Sequence, residues 1–158
     1  MAKIKLFLSD VDGVMTDAGM YYTESGDEFK KFNTHDGMAF NLLKAAGIKT
    51  GIITTENTKI VERRAAKLKI DYVYQGAGFK GKLAAAEEIC AKENISLNEV
   101  AYIGDDINCI QLLEAVGLAA CPANSTKKVK AIKGIIILQT KGGEGAIREF
   151  VDDYILEE

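Results

Sequence analysis

The sequence predicts an α/β fold with a mostly parallel central sheet covered on both faces. Three observations carry this. Short apolar runs alternate with segments of helical period along the whole chain. The runs are too short and too uniformly apolar for strands with one wet face. Acids, hydroxyls, glycines and lysines cluster just after the runs, where parallel sheets place their ligands.

Ile4–Leu8 reads as the first buried strand. Met20–Thr23 and Glu28–Phe32 flank the turn-rich Glu24-Ser25-Gly26-Asp27, which predicts a β-hairpin inserted after that strand. Asp36 could cap a helix carrying Met38, Ala39, Leu42, Leu43 and Ala46 on one face, with Gly47 as its stop. Lys49–Ile53 is a second core strand. Asn57 could cap the next helix, where Val61, Ala65 and Leu68 fall at i, i+4 and i+7. Tyr72–Tyr74, Val100–Ile103, Leu118–Ala120 and Ile135–Leu138 are further strands. Helices are expected over about Gly81–Glu93 and Ile107–Ala115. A last one over Gly145–Leu156 places Ile147, Phe150, Val151, Tyr154 and Ile155 on one stripe. Strands alternating with helices imply right-handed crossovers, and hence helices on both sheet faces.

The chain has 158 residues, which predicts one domain over 1–158. Apolar residues make up 47% and charged residues 27%, so a real core is available and disorder is excluded. The formal net charge is −3, which argues against nucleic acid or an anionic membrane as partner. The three cysteines, Cys90, Cys109 and Cys121, form no Cys-x-x-Cys pair, which fits a reducing compartment better than a disulfide framework or a zinc site. No secretory signal is read at Met1–Asp10 and no apolar run is long enough for a bilayer, so a cytoplasmic location is expected.

The strand ends hold the chemistry. Asp10-Val11-Asp12 follows the first strand. Two carboxylates so close are useful when one is a nucleophile, the other a proton donor, and a cation lies between them. Thr54-Thr55-Glu56 follows the second strand, where a hydroxyl beside a helix start suits a phosphate oxygen. Gly76-Ala77-Gly78-Phe79-Lys80-Gly81-Lys82 follows the third. It spells Gly-x-Gly-x-x-Gly and most of a P-loop, but Leu83 stands where a P-loop needs Ser or Thr. No acid ends the next strand, as dinucleotide binding requires. Lys80, on a glycine-rich loop, is the candidate for holding a phosphate. Gly104-Asp105-Asp106 follows the fourth strand, and its carboxylates suit a hard divalent cation. Alone, each piece reads equally well as a polar loop or helix cap. Together, in this order, they should meet at one edge of the sheet.

The ordered set resembles the haloacid dehalogenase superfamily of phosphotransferases over essentially the whole chain. More narrowly, Asp10–Asp17, Gly19–Tyr22, Phe32-Asn33, Asp36-Gly37, Tyr74–Gly76, Lys80, Tyr102–Asp106 and Gly142–Ala146 resemble the 3-deoxy-octulosonate 8-phosphate phosphatase group. Within it, the 2-keto-3-deoxy-nononate 9-phosphate phosphatases are the closer likeness. Thr54-Thr55-Glu56 departs from the Thr-Gly-Arg usual in the octulosonate enzymes, and His35 stands where Arg or Lys is common. The resemblance implies a Rossmann-like three-layer sandwich and an Mg²⁺-dependent phosphomonoesterase acting on a sugar acid phosphate. It makes Asp10 the nucleophile and Asp12 the acid and base. Thr54 and Lys80 would bind phosphate. Asp10, the Asp12 backbone carbonyl and Asp105 would hold the metal, with Asp106 nearby.

The resemblance also bears on what covers the site. Between Asp12 and Thr54 lie 41 residues, and between Lys80 and Asp105 lie 24, so no cap domain is expected. An open site would leave water to weaken its electrostatics. The family closes it with neighbouring subunits, which assigns the hairpin at about 20–32 to a homotetramer whose sites lie at subunit interfaces. Lys141 and Gly142–Gly145 are expected to reach an adjacent site. Glu56, Arg64 and Lys67 are candidates for substrate specificity. Arg64 and Lys67 share a helical face that could bind a carboxylate, and Glu56 could accept from sugar hydroxyls. The rival from another class is a non-catalytic tetramerisation module, which would have no reason to retain Asp10, Asp12, Thr54, Lys80 and Asp105 together.

Overall fold

A computed structural model describes residues 2–78 and 81–156. Its elements are β1 (Leu6–Ser9), β2 (Tyr21–Tyr22), β3 (Glu28–Phe29), α1 (Thr34–Ala45), β4 (Lys49–Ile53), α2 (Lys59–Leu68), β5 (Tyr72–Tyr74), α3 (Gly81–Glu93), β6 (Val100–Ile103), α4 (Ile110–Ala115), β7 (Leu118–Cys121), α5 (Lys127–Lys130), β8 (Ile136–Ile137) and α6 (Ala146–Phe150). Six strands form one parallel sheet in the order β5-β4-β1-β6-β7-β8. The chain builds outward from β1 through β4 to β5, then returns to β6 on the other side of β1. The crevice at that reversal is where open α/β sheets bind ligands.

Alternation along β1 explains the three layers. Phe7 points to a core shared with Phe40 and Leu43 of α1 and Ile147 and Phe150 of α6. Leu6 and Leu8 point to the other face, against Ala86 and Ile89 of α3 and Leu112 and Leu113 of α4. All four residues of β1 are buried, as they must be in a central strand of a doubly covered sheet.

The hairpin is present and shorter than its apolar pattern suggested. Tyr21 pairs with Phe29 and Tyr22 with Glu28, and an isolated bridge between Thr16 and Phe32 closes its base. Met20, Tyr22 and Phe29 each leave more than half their surface exposed. No folded cap stands between β1 and β4 beyond this hairpin and α1, and no described helix is long and apolar enough to cross a membrane.

Several boundaries differ from the sequence reading: β1 is Leu6–Ser9 rather than Ile4–Leu8, β8 is Ile136–Ile137 rather than Ile135–Leu138, and α4 begins at Ile110 rather than Ile107. Asn33, not Asp36, caps α1, accepting from the His35 backbone N–H at 2.8 Å. Thr58, not Asn57, caps α2. The last helix changes after Phe150 into a π-helical turn over Val151–Ile155. Gly47 does end the α1 segment, with φ of 76° and its N–H on the Lys44 carbonyl. The short α5 went unseen because Lys127-Lys128-Val129-Lys130 offers a single apolar residue to read.

Asp36 is free for another task. It is buried, and its Oδ1 accepts from the Arg148 backbone N–H at 3.0 Å, capping α6 from across the core. Burial raises its pKa to about 6, against a partial offset from those backbone donors and the Arg64 charge. A carboxyl raised in the folded state stabilises it fully below its unfolded value near 3.8 and loses that contribution as pH rises through about 6. Asp36→Asn keeps the acceptor and cannot titrate. Its unfolding free energy, measured by urea titration, should therefore gain on the wild type by about 2 kcal/mol between pH 4 and pH 7.

Candidate active site

The carboxyl ends of β1, β4 and β6 open into one cleft of about 300 Å³. Asp10 leaves β1, Thr54 leaves β4 and Asp105 leaves β6, and all three line it with Asp12, Glu56 and Asp106. The residues read at the ends of the first, second and fourth predicted strands do converge.

Asp10 is buried at the floor. Its Oδ1 accepts from the Val11 backbone N–H at 2.8 Å and lies 2.9 Å from Lys82 Nζ. Its Oδ2 accepts from the Cys109 thiol at 3.1 Å. Lys82 is almost wholly buried. Burial works against its charge, but Asp10 outweighs that and its pKa is raised. Burial and the Asp10 charge push the Cys109 thiol up to about 12, so it stays a neutral donor rather than a nucleophile.

Asp105 faces Asp10 across the loop after β1. Burial first, then the charges of Asp10 and Asp106, raise its pKa to about 7, and Lys82 only partly compensates. Among the described residues, the Lys82 ammonium is thus shared between Asp10 and Asp105. One oxygen from each of Asp10 and Asp105, with Cys109 Sγ, lies within 4.8 Å of the others. Hard carboxylate oxygens and an unbalanced negative charge fit a divalent cation of the magnesium type.

Two glycine contacts make this geometry possible. Gly13 has φ of 84°, and a Cβ there would lie 1.9 Å from Asp105 Oδ2. A Cβ on Gly142 would meet the Gly13 carbonyl oxygen at 2.0 Å, and Gly143 donates its N–H to the Val14 carbonyl at 3.1 Å. The glycine-rich tail therefore clamps the Asp10 loop of its own chain.

A haloacid dehalogenase-like hydrolase profile matches residues 77–149. Over 155 residues the chain is 37% identical to the 3-deoxy-D-manno-octulosonate 8-phosphate phosphatase of Yersinia pestis, covering 98% of this chain and 81% of that one. The chain belongs to that phosphatase family. A probable phosphatase of Pseudomonas syringae superposes with a TM-score of 0.89 at 41% identity, over 94% of this chain and 82% of the other. The family enzyme of Moraxella catarrhalis, solved with a magnesium ion, a phosphate ion and a KDO molecule, superposes at 0.88 and 36% identity, over 94% and 83%. These octulosonate phosphatases carry the eight-carbon name. The finer likeness to nine-carbon phosphatases has no counterpart among them.

Within this family frame, the predicted residues separate into two groups. Asp10, Thr54 and Asp105 are buried or half-buried around the cleft, and Thr54 is held by its N–H on the Tyr74 carbonyl at 2.9 Å. Asp106 lines the cleft and also caps the following turn, accepting from the Ile107 N–H at 2.7 Å. The Asp12 carboxylate lies outside the Asp10–Asp105 cluster and turns instead to Lys30 Nζ at 2.7 Å. Arg64 and Lys67 do not line this cleft. Arg64 sits over the Phe32 ring, 5.4 Å from its centroid, and donates to the Asn33 carbonyl at 3.3 Å, while Lys67 is exposed. Lys80 lies outside the described residues.

Lys82 and Lys30 are the cations that sequence reasoning missed. Lys82 carried a signal, since it is the lysine of the P-loop-like run, discarded for want of a following Ser or Thr. Lys30 showed only as a charge inside a hairpin pattern. Gly13→Ala should push Asp105 out of place: divalent-cation affinity, measured by calorimetric titration, should fall by at least about tenfold, as expected when a buried contact and a left-handed φ are both violated.

Proposed function

We propose that the chain is an Mg²⁺-dependent phosphomonoesterase for a 2-keto-3-deoxy sugar acid phosphate, with 3-deoxy-octulosonate 8-phosphate as its substrate. The observation that carries the reading is Asp10, dry and ion-paired to Lys82, in one cleft with Asp12, Thr54 and Asp105. The names of the Yersinia and Moraxella relatives support the eight-carbon ester over the nine-carbon one.

Asp10 attacks phosphorus, forming the Asp10 O–P bond as the P–O bond to the sugar breaks. Asp12 gives its proton to the departing sugar oxygen. The same carboxylate then takes a proton from water, whose oxygen attacks phosphorus and frees Asp10, leaving inorganic phosphate. Lys82 holds a positive charge at the nucleophile and at the phosphoryl oxygens it meets, and the Thr54 hydroxyl donates to those oxygens. Asp10, Asp105 and the Asp12 backbone carbonyl would hold Mg²⁺, which supplies charge neutralisation that lets an anionic nucleophile approach an anionic ester. With Lys82 buried against Asp10, the phosphate-binding role expected of Lys80 has a second candidate two residues on.

Glu56 favours a second reading. It stands in the cleft wall where the octulosonate enzymes usually have the Gly-Arg continuation, which keeps the nine-carbon ester in play. Arg64 and Lys67, off the cleft of their own chain, would recognise a substrate carboxylate only across a subunit boundary. The hairpin supplies the surface for such a boundary. Met20, Tyr22 and Phe29 would be buried in a homotetramer.

With Mg²⁺, kcat/KM should be higher for octulosonate 8-phosphate than for nononate 9-phosphate; the reverse order would give the cleft to the nine-carbon acid. Asp10→Asn should lower turnover at least about 10³-fold while the chain still folds, as circular dichroism would show, and substantial residual activity would remove Asp10 as the nucleophile. Light scattering should give four times the chain mass, and one mass for Tyr22→Glu/Phe29→Glu.

A further inference from the structure

Lys30 follows β3, between the exposed Phe29 and Lys31, yet its own side chain keeps only 3% of its exposure. Its ammonium lies 2.7 Å from Asp12 Oδ1, 3.3 Å from Glu28 Oε1 and 3.5 Å from Glu56 Oε2. Burying a lysine side chain costs rotamer freedom, so the arrangement needs a return. The hairpin does not need it for pairing, because Lys30 lies beyond the β2–β3 ladder.

Asp12 does need it. Among the described residues, Lys30 is the sole hydrogen-bond partner of the Asp12 carboxylate, which is 37% exposed. Without it, the carboxylate would turn freely and be hydrated on both oxygens. With Oδ1 occupied by an ammonium, a proton on the acid belongs on Oδ2. Glu56 and Glu28 hold the ammonium from the other side.

We infer that Lys30 is a positioning residue for Asp12, a role that rests on Asp12 being the acid of the proposed phosphatase. It fixes the carboxyl rotamer so that Oδ2 delivers the proton to the leaving oxygen. It also ties that rotamer to the hairpin and to the loop after β4. A direct role in binding a substrate carboxylate fits less well, because the Lys30 cluster already holds three acids for one cation.

Leaving-group dependence separates the roles. A sugar ester leaves as an alkoxide and needs a proton, whereas p-nitrophenolate does not. Lys30→Met should lower kcat/KM for the sugar acid phosphate by about 10- to 100-fold, with its KM raised no more than about twofold and kcat/KM for p-nitrophenyl phosphate within about threefold, since acid–base help is worth about 10²–10⁴ in total and kcat/KM ends at phosphorylation of Asp10, before the water step that both esters share. Lys30→Arg should recover most of the loss. Lys30→Gln reads the same split should the methionine variant not fold. Asp12→Asn should show the split in larger form. Equal losses on both esters would make Lys30 merely structural and overturn the inference. So would unchanged kinetics, or a rise in KM confined to carboxylate-bearing esters. An Asp12→Asn enzyme without the split would overturn the acid role of Asp12 and this inference together. A split in Asp12→Asn but not in Lys30→Met would overturn the inference alone.

Discussion

Everything at this site follows from burying a carboxylate that has to remain an anion. Asp10 must be dry to be reactive, and a dry carboxylate is unstable unless a cation meets it. Lys82 meets it at 2.9 Å, from the first turn of α3, itself buried. That pairing dictates where α3 can start and how closely it approaches β1. It also leaves a deficit. Asp105 is buried in the same field with no ion-pair partner among the described residues, and burial, then the Asp10 and Asp106 charges, raise its proton affinity. A second positive charge at the mouth of the site resolves the conflict, and carboxylate oxygens select a hard one.

The backbone has to permit this crowding. Asp105 fits over Gly13 because no Cβ is there, and the tail fits over Gly13 because Gly142 has none either. Two glycines on different segments thus let two stretches of backbone and the Asp105 side chain close on one another. Asp36 adds a further tie, since a buried acid from α1 caps α6, immediately after that tail. The Asp10 loop is braced from behind by parts of the chain more than a hundred residues away.

Much of this was legible because it is local. Strand runs such as Lys49–Ile53 and Val100–Ile103 have the same bounds in the structure, and all but Lys49 are buried. The convergence of Asp10, Thr54 and Asp105 followed from topology alone, because parallel strands present their carboxyl ends on one edge. What escaped was long-range. Nothing in the spacing of Asp36 says that it serves a helix from the other end of the chain, so its capping pattern was taken for that of its own helix. Lys80 and Lys82 differ by two residues, and sequence cannot say which one faces the nucleophile. Arg64 and Lys67 both lie on α2, but Phe32 and the Asn33 carbonyl claim Arg64 first.

The hairpin links these levels. Its outer face is aromatic and exposed, which is costly for a free arm and useful for one that docks. Lys30, just past its second strand, reaches the Asp12 carboxylate. A contact that steadies the outer face would therefore steady the carboxyl group on the inner side. In a larger enzyme a cap domain could exclude water and order the acid at once. Here a short arm does the second directly, through one ammonium, and leaves the first to whatever covers its outer face. Closure and proton transfer then depend on the same few residues, and the site needs no cap of its own to couple them.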